Sequence, residues 1–310
     1  PRGAPRCATS PSAASPRAVT SPRHCTCRAP GADGPRWGEV IAVDPARTVT
    51  RPVPRAVPAS EARNDEPPSV YPVSDSWETH AGWWQQHFTD GADPEYEEQI
   101  LPLADVHLAG ATRCLDIGCG EGQLSRRIAA LGAWTVGIDP TSGQVVTAAA
   151  RGGDVRYGRA AAEALPFAGG SFDAVVICLT LEHLDPFEPA VDEVARVLAP
   201  GGRFCLFLNH PLLQAPGSGW IDDHILEEQY WRVGPYLPDD VAMEEVAPGI
   251  RLPFMHRPLS RYINVMAERG LLVEWMEEPP PPPGFIAQAW EYAEAATIPR
   301  LLLLRARKHE

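Results

Sequence analysis

The residues in this chain best suited to chemistry lie in one short run, Asp116-Ile117-Gly118-Cys119-Gly120-Glu121-Gly122. Glycines at alternate positions permit a tight turn and let a ligand approach the backbone with no Cβ in the way. The run follows a short apolar segment and precedes a helical one, so it opens onto a helix N-terminus, whose free N–H groups favour negative charge. Asp139 stands 21 residues beyond Gly118, at the expected end of the next strand. A carboxylate there can accept both hydroxyls of a ribose. A glycine loop with a later acid is also the pattern of a dinucleotide site, but such sites want G-x-G-x-x-G. Here the glycines run 118, 120, 122, and Asp116 sits two residues before the first. The spacing alone leaves open a structural turn that holds no ligand.

The surrounding sequence narrows the choice. Cys114-Leu115-Asp116-Ile117-Gly118-Cys119-Gly120 closely resembles the Val-Leu-Asp-Ile-Gly-Cys-Gly hallmark of class I methyltransferases. Ala162-Glu163-Ala164-Leu165-Pro166-Phe167 is similar to that family's third-loop segment, and Ser171-Phe172-Asp173 to its entry into the fourth strand. Leu181-Glu182-His183 and Arg196-Val197-Leu198-Ala199-Pro200-Gly201-Gly202 look like its later signatures, in the right order and spacing. The resemblance is to the broad type 11 methyltransferases, which include quinone-methylating enzymes. It is strong over residues 113–206 and extends over 76–308.

The resemblance implies transfer of a methyl group from S-adenosylmethionine to a small-molecule acceptor. It also implies roles, position by position. Asp116 and the backbone of Gly118 and Gly120 would hold the methionine portion of the cofactor, with Cys119 in the same loop. Asp139 would hold the ribose hydroxyls, with Pro140 beside it. Ala162 and Glu163 would lie next to the adenine, and Cys178 and Leu179 would line the cofactor at the end of strand four. The family often has Asp before the Ala-Glu pair; here Ala161 stands there, so the adenine amino contact must come from elsewhere or be absent. No Asn-Pro-Pro-Tyr signature follows strand four, so O-, C- and N-methylation all remain open.

For such a transfer the protein mainly aligns an in-line attack, worth roughly 7–11 kcal/mol. A general base adds roughly 10²–10⁴-fold when the nucleophile carries a proton. The candidate bases are His183 after the fourth strand, His210 in Asn209-His210-Pro211 after the fifth, and His256. His183 reads equally as a structural histidine ordering its turn. Trp83, Trp84 and His87 precede the first strand, where similar enzymes carry a helix that covers the cofactor. Trp220, Tyr230, Trp231 and Tyr236 suit either an aromatic substrate pocket or the core of a small subdomain.

These residues must be held by elements the pattern predicts. A helix over Tyr96–Val106 is followed by strands at Arg113–Ile117, Thr135–Ile138, Val155–Tyr157, Phe172–Cys178 and Arg203–Leu208. Between them come helices at Gln123–Leu131 with Gly132 as C-cap, from Thr141 as N-cap to Ala150, and at Pro189–Leu198. Phe172–Cys178 is nearly all apolar, as a strand buried on both faces must be. The rhythm predicts an α/β fold: a Rossmann-like, doubly wound sheet with helices on both faces. The family resemblance makes it seven-stranded and mixed, the last strand inserted antiparallel. Residues 209–257 carry no clear rhythm and read as a lid or insertion. After them come a helix over Ser260–Arg269, a strand at Leu271–Met276, an extended proline run Pro279–Pro283, and a last strand at Leu301–Leu304 before a charged tail.

The composition breaks near residue 72. Residues 1–72 hold 14 of the 34 prolines and ten Arg against six acids, whereas the rest carries 17 basic residues against 34 acids. The first segment cannot bury enough apolar surface to offset its ordering entropy, so a disordered extension over 1–72 and one domain over 73–310 are expected. An acidic domain disfavours nucleic-acid partners, which need clustered cations, and anionic membrane surfaces. No apolar run reaches the ~20 residues of a membrane helix, and no signal peptide opens the chain; a cytoplasmic location is expected. The seven cysteines show no disulfide spacing, and His24-Cys25-Thr26-Cys27 lacks a second ligand pair for a metal, so no metal is expected. Oligomeric state is not legible. Two other classes fit less well: a non-catalytic S-adenosylmethionine-binding regulatory or scaffold protein, and an NAD-dependent oxidoreductase.

Overall fold

The computed structural model describes residues 73–288 and 295–309. The expected disordered extension and the His24–Cys27 cluster lie outside the described residues. The chain enters as helix α1 (Val73–His87), then a π-turn over Tyr96–Ile100 that runs into α2 (Leu101–His107). Strands and helices then alternate: β1 (Arg113–Ile117), α3 (Gln123–Ala130), β2 (Trp134–Asp139), α4 (Ser142–Arg151), β3 (Val155–Arg159), β4 (Phe172–Cys178), α5 (Glu188–Val197) and β5 (Leu198–Asn209). A segment of α6 (Pro211–Gln214) and four strands, β6 (Gly219–Asp223), β7 (Glu228–Arg232), β8 (Asp240–Ala247) and β9 (Ile250–His256), precedes α7 (Leu259–Glu268). The described chain ends through β10 (Leu271–Glu277), α8 (Pro283–Gln288) and β11 (Leu301–Lys308).

Among the described residues, seven strands form one sheet in the order β10-β11-β5-β4-β1-β2-β3. β11 runs antiparallel to both its neighbours, and the β1, β2, β3, β4 and β5 pairings are parallel. The order reverses at β1, so the C-terminal ends of β1, β2 and β4 frame the crevice where ligands of open α/β sheets bind. Alternation along each strand splits the core. Ile177, Phe204, Leu206 and Leu304 meet Val191 and Val194 of α5 and Met266 of α7 on one face. Val176, Cys205, Phe207 and Leu303 meet Ala104 of α2 and Ile128 of α3 on the other. Burial on both faces is why β4 and β11 read as near-continuous apolar runs.

The expected strands and helices form, with differences at their ends. The insertion is built from two antiparallel hairpins, β6–β7 and β8–β9. The rhythm escapes the sequence because β6, β7 and β8 bury no residue fully and Val241 and Met243 of β8 stay exposed, so alternation there carries no hydrophobic contrast; β9 alone of the four buries apolar residues, Leu252, Phe254 and Met255. The proline run is not extended throughout, since Pro283 opens α8, where its missing N–H costs nothing. β11 continues through the charged residues expected as a tail, because Arg305 and Arg307 pair with Glu274 of β10 at 3.1 and 2.8 Å.

Thr141 occupies the N-cap of α4, but its side chain makes no capping bond. The cap comes from 64 residues earlier: the Glu78 carboxylate accepts the N–H of Ser142 at 2.7 Å and of Gly143 at 3.0 Å. Gln85 adds a bond from Nε2 to Gln144 Oε1 at 2.9 Å, so α1 is latched onto α4. Glu78→Ala is expected to cost about 1 kcal/mol, the usual worth of an N-cap. Hydrogen exchange at the Ser142 and Gly143 amides is expected to speed up severalfold; unchanged exchange there would remove the latch.

Candidate functional site

A cavity of about 540 Å³ lies between α1 and the C-terminal ends of β1, β2 and β4. Its floor is the turn after β1. Gly118, Gly120 and Gly122 all have positive φ, at 73°, 54° and 86°, in the left-handed region that favours glycine. The three differ in what surrounds them. A Cβ on Gly118 would lie 2.3 Å from Thr180 Oγ1, and one on Gly122 2.3 Å from the Tyr157 hydroxyl. A Cβ on Gly120 would meet nothing nearer than Trp84 Nε1 at 4.0 Å. Protein therefore fills the space against the outer two glycines, and the middle one opens onto the cavity.

Two carboxylates border this turn. β1 and β2 pair in parallel with Ile117 opposite Ile138, which sets Asp116 and Asp139 near the ends of neighbouring strands. Asp116 is buried and accepts a hydrogen bond from Ser125 Oγ at 2.6 Å. Burial pushes its carboxyl up to about 7, with the Asp139 charge adding to the rise. Asp139 Oδ2 accepts the N–H of Gly120 at 3.0 Å, and Oδ1 the N–H of Thr141 at 2.8 Å. Burial raises its carboxyl too, against those two backbone bonds. Each oxygen keeps a second lone pair, so the carboxylate is aimed by the backbone and still able to accept hydroxyls.

The structure brings together Asp116, Gly118, Cys119, Gly120, Asp139, Pro140, Ala162, Glu163, Cys178, Leu179 and His183 on this one cavity. Ala160, Ala161 and Ala162 form a small-residue wall on the β3 side. The Trp pair divides: Trp84 lines the cavity, while Trp83 stacks on His87 at 5.3 Å between centroids. Sequence reasoning missed Trp77, Thr89, Tyr96, Gln123 and Thr180, which also line it. Of these, Tyr96 begins the π-turn, a distortion frequent at functional sites, which the sequence read as the start of an ordinary helix.

The three histidines separate. His183 is buried, its Nδ1 is 2.9 Å from the Pro253 carbonyl oxygen, and its ring lies 4.9 Å from Trp77. A carbonyl can only accept, so Nδ1 carries the proton and Nε2 keeps its lone pair. Burial holds its pKa down at about 4, so the ring is neutral at pH 7. Its neighbour Glu182 is buried with its carboxyl raised to about 7 by that burial and accepts from Asn209 Nδ2 at 3.0 Å. His210 and His256, read from the sequence as candidate bases, do not line the cavity. His210 Nδ1 accepts the Leu212 N–H, capping α6, and its Nε2 meets Glu278 at 2.7 Å. His256 Nε2 meets the Tyr236 carbonyl oxygen at 2.7 Å. His210 thus ties the start of the insertion to the segment after β10, while His256 is bonded within the insertion.

Residues 115–206 match the family model described as a methyltransferase domain. The chain is 31% identical over 187 residues to a ubiquinone biosynthesis O-methyltransferase of Agrobacterium fabrum, covering 57% of this chain and 72% of that one. It is 39% identical over 168 residues to the protein of that name from Rhizobium johnstonii, covering 49% and 67%. Among solved structures, an S-adenosylmethionine dependent methyltransferase from Mesorhizobium loti superposes with a TM-score of 0.61 at 28% identity, covering 71% of this chain and 99% of that one.

Proposed function

Because this chain belongs to the class I, type 11 family of S-adenosylmethionine-dependent methyltransferases and transfers a methyl group to a small-molecule acceptor, we propose that its cofactor occupies the cavity under α1. The observation that carries this reading is the contrast among the glycines: the space beyond Gly120 is open while that beyond Gly118 and Gly122 is filled by protein. Asp139, aimed by two N–H groups, would hold the ribose hydroxyls. The backbone of Gly118, Cys119 and Gly120 and the Asp116 carboxyl would take the methionine portion. Pro140, Ala162 and Glu163 would border the adenine, and Cys178 and Leu179 the methyl-bearing end. S-adenosylmethionine supplies the methyl as an electrophile on a sulfonium. The domain is proposed to span residues 73–310.

The acceptor is proposed to be a hydroxyl on an aromatic small molecule. Two relatives are named O-methyltransferases of ubiquinone biosynthesis, and Trp77, Trp84, Phe88 and Tyr96 give the cavity an aromatic side. His183 Nε2, unprotonated in the neutral ring, would accept a hydrogen bond from that hydroxyl and orient it, since burial disfavours the charged ring that keeping the proton would make. No nucleic acid is proposed as a partner, in keeping with 40 acids against 27 basic residues. Among the described residues no helix is long and apolar enough to cross a membrane. Cys114, Cys119, Cys178 and Cys205 are buried free thiols, which supports a reducing compartment such as the cytoplasm. The test is methyl transfer from labelled S-adenosylmethionine to a panel of catechols, hydroquinones, amines and carbon acids. Labelling confined to amines or carbon acids would overturn the acceptor assignment.

Asp116 makes binding depend on pH. A cationic ligand head favours the ionised carboxyl, so a protein that holds its proton up to about 7 must release it on binding. Affinity for S-adenosylmethionine is expected to rise as pH increases from 6 to about 8 and then level off. Calorimetry in buffers of different ionisation enthalpy should register proton release near pH 6.5, absent in Asp116→Asn.

A further inference from the structure

A second cavity, of about 430 Å³, lies beyond the C-terminal end of β5, bordered by α6 and by β7 and β8 of the insertion. The register of the sheet brings a cation to its edge. Leu301, the first residue of β11, pairs with Asn209, the last of β5, and the Arg300 carbonyl oxygen accepts the His210 N–H at 2.7 Å. Arg300 and Asn209 therefore stand together, and both line the cavity. An acid comes from β8. Alternate residues of a strand share a face: Ala242 and Glu244 line the cavity, while Met243 between them is exposed. No residue lining this cavity lines the one under α1.

Arg300 and Glu244 are the charged residues among the described ones on this wall, and they do not pair with each other. The guanidinium is fixed from elsewhere. Its Nε donates to Glu95 Oε1 at 3.2 Å, and its central carbon lies 4.1 Å from the centre of the Phe285 ring. Among the described residues its two Nη groups have no protein acceptor, which leaves a held fork of the shape a carboxylate fits. Glu244 is half-buried, and among the described residues no cation pairs with it. Burial alone raises its carboxyl, so it lacks the positive neighbour that would favour its charge. Opposite charges kept apart in one cavity complement a molecule that carries both signs. Leu213 and Trp231 add apolar surface beside them.

We propose that this second cavity is a binding site for a zwitterionic amino acid, Arg300 taking its carboxylate, Glu244 its ammonium, and Leu213 with Trp231 its side chain. The site does not depend on where the methyl donor lies. It stands next to the first cavity all the same: Asn209 Nδ2 donates to Glu182, the neighbour of His183, and Arg300 bonds Glu95, the neighbour of Tyr96. His183 and Tyr96 both line the cavity under α1.

The test uses three ligands of one shape in ligand-observed NMR titrations: L-phenylalanine, phenethylamine, which lacks the carboxylate, and 3-phenylpropionate, which lacks the ammonium. Wild type is expected to bind phenylalanine at least tenfold more tightly than either analogue, since each loses one charge-assisted contact. Glu244→Gln keeps the shape and removes the charge. It is expected to weaken phenylalanine and phenethylamine about tenfold and to leave 3-phenylpropionate within about twofold. Arg300→Met is expected to do the reverse, weakening phenylalanine and 3-phenylpropionate and sparing phenethylamine. The ligand each variant spares reports an intact cavity, so a general loss of structure cannot imitate the pattern. Wild-type protein that ignores phenylalanine at millimolar concentration would overturn the proposal, as would variants that weaken all three ligands alike.

Discussion

Asp139→Ala is expected to weaken S-adenosylhomocysteine binding by about 3–6 kcal/mol, taking two charge-assisted hydrogen bonds at ~1.5–3 kcal/mol each. The carboxylate sits at the C-terminal end of β2 and is 8% exposed. The N–H groups of Gly120 and Thr141 each bond one of its oxygens, so it is oriented before any ligand arrives and binding need not order it. The same bonds tie the glycine turn to the start of α4, and alanine releases both. Folding stability should fall, but by fewer kcal/mol than the binding loss. Desolvation already works against the buried charge, and removing it relieves part of that cost. Isothermal titration at one pH and ionic strength measures the effect. Unchanged affinity would take Asp139 out of the site.

Gly118→Ala and Gly120→Ala are expected to fail in opposite ways, though only one residue separates them. Both positions have positive φ, which costs a side-chain-bearing residue roughly 1–2 kcal/mol. At Gly118 the added Cβ also lies within 2.9 Å of three Thr180 atoms, Cβ among them. Rotating the threonine cannot clear its own Cβ, so the backbone of the turn or of the segment after β4 must move. Overpacking adds roughly 1–3 kcal/mol, for a total loss of about 2–5 kcal/mol. At Gly120 the methyl points into open space, so stability should fall by only about 1–2 kcal/mol while S-adenosylhomocysteine affinity drops at least tenfold. Urea unfolding and calorimetry on both variants separate the outcomes. A Gly120→Ala protein that binds normally would show that the opening beyond Gly120 is not where the ligand lies.

The parts legible in the sequence are those that local chemistry dictates. The run from Asp116 to Gly122 announces itself because three glycines at alternate positions meet a backbone requirement, positive φ, that few other residues satisfy. β4 was readable to the residue because a strand buried on both faces admits almost only apolar side chains, and β1 because its short apolar stretch leads straight into the glycine run. Asp139 was readable because a strand of known start has a calculable end. Glycine spacing argued against a dinucleotide but left open a turn that holds no ligand; the later segments, Leu181-Glu182-His183 among them, closed that choice through resemblance.

What only the tertiary structure decided involves partners far apart in the chain. Glu78 caps α4 across 64 residues, displacing the local candidate Thr141, because a helix end accepts whatever carboxylate packing delivers. His183, His210 and His256 look alike in sequence, yet one lines the cavity and two are tied into the insertion. A sequence specifies backbone needs and apolar faces position by position. Which polar atoms end up paired, and which side chains face the cavity, depends on the geometry of segments brought together by folding.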